Sequence, residues 1–160
     1  MQAGADIKLV AEHELLLPPA AVGVHDGDRQ KAARNAARDL GKGWKVNPYF
    51  VVQPGETRVL ADITGSGKIQ HIWMTLANEN FTFEKAYLRK VVLRMYWDDE
   101  TDPSVEVPIG DFFGMGHGQH RNFVSAPLQM SPQDGKAFNC WFPMPFHQAR
   151  IEIDNQCDSK

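Results

Sequence analysis

Between Trp44 and Asp154, apolar side chains recur at alternate positions in segment after segment, and this spacing limits the possible folds more than any other feature of the chain. A period of two sends successive side chains to opposite faces of an extended strand. Gln148 to Asp154 is the cleanest instance, with Ala149, Ile151 and Ile153 on one face and Arg150, Glu152 and Asp154 on the other. Tyr87 to Trp97 reads as a long strand that points Val91, Leu93, Met95 and Trp97 one way. Arg89 shares that face near the strand start, and Lys90, Arg94 and Tyr96 alternate with it. Lys45 to Val52, Thr57 to Ile63, Lys68 to Leu76, Val105 to Ile109 and Phe138 to Phe146 carry the same pattern. In Gln53-Pro54-Gly55-Glu56 the proline presets its φ and the glycine accepts a positive one, which is the chemistry of a tight turn. Ser66-Gly67 reads as a second turn. The result is about seven or eight short strands, whose natural solution is all-β: an antiparallel β-sandwich or jelly roll.

One segment breaks the period. Asp28 is a candidate N-cap and Gly41 a candidate C-terminal glycine, and Ala32, Ala33, Ala36, Ala37 and Leu40 recur between them at helical spacing. A short N-terminal helix is therefore expected after an extended, proline-interrupted arm over Glu14 to Val24. The expected organisation is arm and helix over 1–43 and sandwich over 44–160. With 160 residues the chain suits one domain with a real core.

Composition narrows the function classes. A formal charge of −3 and a pI near 6.0 argue against a nucleic-acid partner, which calls for a basic excess. No apolar run approaches the ~20 residues that span a bilayer, so no membrane partner is expected. Met1 to Leu15 lacks the basic and apolar regions of a signal peptide, so none is expected there. Cys140 and Cys157 form neither a metal pattern nor a disulfide framework and read as ordinary thiols.

The irregular section Gly110 to Arg121 gathers two aromatics, two histidines, an arginine and an aspartate among several glycines. Sugar sites use this mixture, because aromatic faces pack on C–H surfaces while polar groups exchange hydrogen bonds with hydroxyls. Asp111, Phe113, His117, His120 and Arg121, with Trp141 further along, are the candidate sugar contacts. The alternative is a long connection at one end of the sandwich, with Phe112 and Phe113 plugging the core. His117 and His120 lack a third ligand at a helpful spacing, so no metal and no cofactor are expected. Gly65-Ser66-Gly67-Lys68 lacks the first glycine and the final hydroxyl of a phosphate loop and reads as a hairpin turn. Glycoside cleavage needs two facing carboxyl groups. Among Glu56, Glu84, Glu106, Asp111 and the Asp98-Asp99-Glu100 cluster, only Asp111 has a claim to a concave site, and no catalytic pair is assigned.

GKGWKVNPYFVVQPGETRVLADITGSGKIQHIWMT, LRMYWDDETDPSVEVPIGDFFGMGHG and FNCWFPMPFHQARIEIDN closely resemble the family called domain of unknown function 2961, grouped as glycoside hydrolase family 172. The resemblance covers roughly Arg34 to Asn155. It implies a double jelly roll assembled as homotrimers or their multiples, acting on furanosidic linkages such as those of fructofuranosides and D-arabinan through a retaining pair of glutamates. Those glutamates lie in segments resembling Gly-Glu-Gly-Glu and Gly-Thr-Glu-Asp, and neither occurs in these 160 residues. The expectation is thus the first jelly roll of a furanoside-acting hydrolase, inactive by itself, with a furanoside oligosaccharide or polysaccharide as its partner. The alternatives are a non-catalytic glycan-binding module and a capsid-like trimeric assembly module.

Overall fold

The computed structural model describes residues 7–12, 50–77 and 86–158. The expected arm over Glu14 to Val24 and the helix between Asp28 and Gly41 lie outside the described residues. What is described is a sandwich of two antiparallel sheets. The first sheet runs in the order β2 (Phe50–Val52), β1 (Ile7–Glu12), β4 (Ile72–Ala77), β9 (Phe138–Cys140), β8 (Leu128–Met130), β7 (Phe123–Val124). The second runs β3 (Thr57–Ile69), β10 (Met144–Asn155), β5 (Val91–Trp97), β6 (Val105–Pro108). β1 lies within the span 1–43, ahead of the expected arm, and pairs with both β2 and β4.

The core lies between the sheets. Met74 and Leu76 enter it from the first sheet and Leu93, Met95, Ile151 and Ile153 from the second, all buried. Each set alternates with outward residues, as period two requires. β10 is the spine of the second sheet, paired along its length with β3 on one side and from Ala149 to Asn155 with β5 on the other.

Five local expectations need correction. Arg89 and Lys90 are not in a strand: Tyr87–Lys90 is a single helical turn, and β5 starts at Val91. Tyr87 and Leu88 are consecutive and both buried, which a half-exposed strand cannot achieve and a helical turn can. Ser66-Gly67 is not a turn either, because β3 runs straight through it to Ile69. Phe146 pairs with Gly67 and Gln148 with Thr64, so Gly65 and Ser66 together oppose His147 in a bulge, and Gly65 takes a φ of 98° there. Val105 to Ile109 stops short as a strand at Pro108, and Ile109–Phe112 forms a second helical turn. Lys68 to Leu76 is not one strand, because β3 ends at Ile69 and β4 begins at Ile72 in the other sheet. Nor is Phe138 to Phe146 one strand. β9 belongs to the first sheet and β10 to the second, and Trp141 to Pro143 carry the chain between them.

Candidate functional site

The crossing from β9 to β10 turns two large aromatics outward: Trp141 is 41% exposed and Phe142 43%. Ile72 pairs with Cys140, so His71 and Trp141 stand side by side just beyond the last pair of the β4–β9 ladder. Their rings stack with centroids 4.7 Å apart and planes 2° from parallel. Both partners are anchored. The Trp141 backbone N–H donates to the Pro127 carbonyl at 2.8 Å. His71 Nε2 lies 3.1 Å from Asn139 Oδ1, and the Asn139 amide donates to the carbonyls of Gln129 and Ala137. Since that amide nitrogen is spent on carbonyls, Oδ1 accepts and His71 Nε2 donates. An indole face is thereby presented to solvent in a fixed orientation. Trp141 was among the candidates; His71 and Asn139 were missed, because their meeting depends on strand pairing across distant sequence.

The glycine-rich section is divided by the structure. Phe113 has no exposed surface and packs edge-on against Phe112 at 5.0 Å and tilted against Phe138 at 5.3 Å, so it belongs to the core. Asp111 is half-buried and forms an ion pair with Arg89 of the helical turn. His117 is exposed, with a φ of 59°. Arg121 is exposed and reaches the Gln119 side chain and the His120 carbonyl, each at 3.5 Å. His120 turns inward between Tyr87 and Phe138 and bonds the Tyr87 hydroxyl and the Gly135 carbonyl. Burial pushes its basicity down, the Gly135 carbonyl pulls it back up and Lys136 lowers it again; the net direction is below 6.5. Thus His117 and Arg121 are exposed and Asp111 is half-buried, Trp141 is exposed on the β9–β10 crossing, and Phe113 and His120 turn inward. His117 and His120 share no cluster with a third ligand; among the described residues no group of three or more His, Cys, Asp or Glu could hold a metal ion.

A separate cleft of about 600 Å³ opens on the outer face of the second sheet, lined among others by Asp62, Tyr96, Asp98, Arg150 and Glu152. Its carboxylates are largely committed to the fold. Asp98 Oδ1 accepts the backbone N–H groups of His147 at 2.6 Å and Gln148 at 3.0 Å, which holds its carboxyl below the ordinary 3.8. Asp99 accepts from the Gln148 amide at 2.7 Å, and Glu100 from the Ser104 hydroxyl. Glu152 points outward by alternation yet is only 7% exposed, because Arg150 pairs with it where β10 shifts register against β3. The acidic stretch read as a solvated connection is therefore also a clamp on β10 where it faces the bulge of β3. A smaller apolar cleft of about 330 Å³ lies at the open end of the sandwich between Met95, Trp97, Phe112, Phe142 and Met144.

Residues 45–160 match the family described as GH172 domain-like, a span of well over half the chain. No curated protein matches.

Proposed function

We infer, from the premise that the chain belongs to the GH172 domain-like family, that it is a sugar-contacting jelly roll for furanosides and does not cleave them by itself. Its relation to glycoside hydrolases rests on the family match. The furanoside class, of fructofuranosyl or D-arabinofuranosyl type, comes from the resemblance of its motifs, and it needs no cofactor.

The observation that carries the reading is the Trp141 indole, exposed and held parallel on His71. A flat apolar face beside hydrogen-bonding groups is what a sugar ring requires, since its C–H surface packs on the aromatic ring while its hydroxyls seek polar partners. Asp111, His117 and Arg121 are the surface groups proposed to supply those partners. Hydrolysis asks for more. Two carboxyl groups must face each other about 5–5.5 Å or ~6.5–9.5 Å apart, one of them still protonated near neutral pH. Asp98 is pulled in the opposite direction by its two backbone donors, and Asp99, Glu100 and Glu152 are held by Gln148, Ser104 and Arg150. Trimeric assembly, implied by the same resemblance, is part of the proposal; the half-exposed Phe142 beside the apolar cleft supports it by offering surface that association would cover.

The test is incubation of the 160-residue chain with a D-arabinofuranosyl oligosaccharide, followed by mass spectrometry and by light scattering of the protein. An intact oligosaccharide and a trimeric mass are expected. Shortened product would overturn the claim of inactivity, and a strictly monomeric mass would remove the trimer.

A further inference from the structure

The outer face of the first sheet continues from Trp141 across two more strands. The strand registers set Asn139 of β9, Gln129 of β8 and Val124 of β7 in one row. Their chain neighbours Phe138, Cys140, Met130, Leu128 and Phe123 all belong to the core or pack against it. The row therefore faces outward by alternation. Trp141 stands two positions beyond Asn139, with the buried Cys140 between them, and keeps the same face. Its backbone N–H to the Pro127 carbonyl extends the β8–β9 ladder by one pair, in which proline has no N–H to return. Gln129 is thus a diagonal neighbour of Trp141, and Val124 lies one strand further out. From Trp141 to Val124 is two strand spacings, about 10 Å.

The polar groups of this face are unequally engaged. Asn139 is spent, because its amide nitrogen serves two carbonyls and its oxygen accepts from His71. Gln129 spends one N–H on the Ser131 hydroxyl at 2.8 Å. Its amide oxygen and second N–H have no partner among the described residues, and Ser131 keeps its own hydrogen to donate. Val124 is 72% exposed, the most open of the large apolar side chains described. None of Trp141, Gln129, Ser131, Asn139 and Val124 is charged, so a phosphate, carboxylate or ammonium ligand finds no counter-ion among them. His71 takes up the β4 side of Trp141, which turns a ligand's path toward β8.

We propose that the sugar at Trp141 is an uncharged oligosaccharide that crosses β8, with one ring on the indole and the next against Val124. Between the two rings, Gln129 and Ser131 exchange hydrogen bonds with hydroxyls. A single furanose ring is too short to use both apolar ends of a span of about 10 Å, so the site selects for at least two rings. β7 is entered from Arg121 through Asn122, and the same line therefore leads on toward the glycine-rich section.

The two-ring site rests on the sugar-contacting function proposed above, and one titration separates them. The wild-type chain is followed by NMR as a D-arabinofuranosyl disaccharide is added, with methyl D-arabinofuranoside as the single-ring control. The Gln129 side-chain amide and the Val124 methyls are expected to shift together with the Trp141 indole N–H. The disaccharide is expected to bind about tenfold more tightly than the single ring, since it adds an apolar contact and hydrogen bonds. Gln129→Ala weakens disaccharide binding about fivefold, the loss of one or two hydrogen bonds. Val124→Thr keeps the shape and strand preference of the side chain and weakens it about threefold. Equal affinity for one ring and two, or a shift at Trp141 with Gln129 and Val124 unmoved, overturns the two-ring site and leaves the indole surface standing. No shift at any residue up to several millimolar sugar refutes the function and the two-ring site together. The wild-type spectrum decides between these outcomes even if Gln129→Ala does not fold.

Discussion

The rings of His71 and Trp141 lie parallel to within 2° at a centroid separation of 4.7 Å, although seventy positions of chain separate them. Pairing of β4 with β9 creates the contact, and the Asn139 side chain fixes its orientation. One face of the indole is thereby occupied by His71 while the residue remains exposed.

Trp141→Ala is expected to weaken sugar binding by about tenfold or more, since burial of an aromatic face and its ring contacts is worth roughly 1.5–3 kcal/mol. His71→Ala removes only the brace and costs about two- to fivefold, roughly 0.5–1 kcal/mol. Calorimetric titration of the two variants checks the order, and a larger effect at His71 would contradict it.

The aromatics of the candidate set divide between core and surface, and stability should divide them in the same way. Phe113→Ala removes a side chain with no exposed surface and is expected to cost about 3–5 kcal/mol in urea unfolding. Trp141→Ala, at a surface 41% exposed, is expected to stay within about 1 kcal/mol of the wild type. Similar losses for both would contradict the placement of Phe113.

Gly55 and Gly135 both hold positive φ, at 77° and 81°, but in different surroundings. A Cβ at Gly55 meets nothing within 4 Å, so Gly55→Ala costs only the backbone strain, about 1–2 kcal/mol. At Gly135 it would also lie 2.8 Å from the Arg121 backbone nitrogen, which cannot retreat without moving the neighbouring His120. Melting temperatures should therefore fall much further for Gly135→Ala; equal shifts would show that Arg121 is free to move.

Asp98 gives the fold a dependence on acid. Its carboxyl is held below 3.8 by the Gln148 and His147 amides. A depressed folded-state value means that the stabilisation is fully present above 3.8 and is lost as pH falls from there through the lower folded value. Urea midpoints of wild type and Asp98→Ala should differ at pH 7 and 5 and converge as pH falls below 3.8 and through the lower folded value. A gap that persists in acid would mean that the carboxylate charge is not what secures the bulge.

Much of the fold was legible because alternation survives wherever one face of a strand is buried. Ala149, Ile151 and Ile153 were placed correctly for that reason. Gly65 and Ser66 were misread because a bulge uses the same residues as a turn, and only the pairing of β10 with β3 tells them apart. Arg89 and Lys90 were misread because Arg89 happens to continue the alternation of β5, while the helical turn is set by the burial of Leu88 against Gly110. Of the site, local composition pointed to the glycine-rich section but could not show that Phe113 and His120 turn inward. His71 carried no local signal at all, being a single histidine ahead of an apolar strand.

The central claim is that this sandwich offers furanosides a surface built on Trp141. Isothermal titration of the intact chain with a D-arabinofuranosyl oligosaccharide at pH 7.5 addresses it most directly. A saturable heat with a Kd of millimolar or tighter, lost in Trp141→Ala while the variant still melts cooperatively, is the predicted result. No heat from the wild type up to several millimolar sugar, or unchanged affinity without the indole, would contradict it.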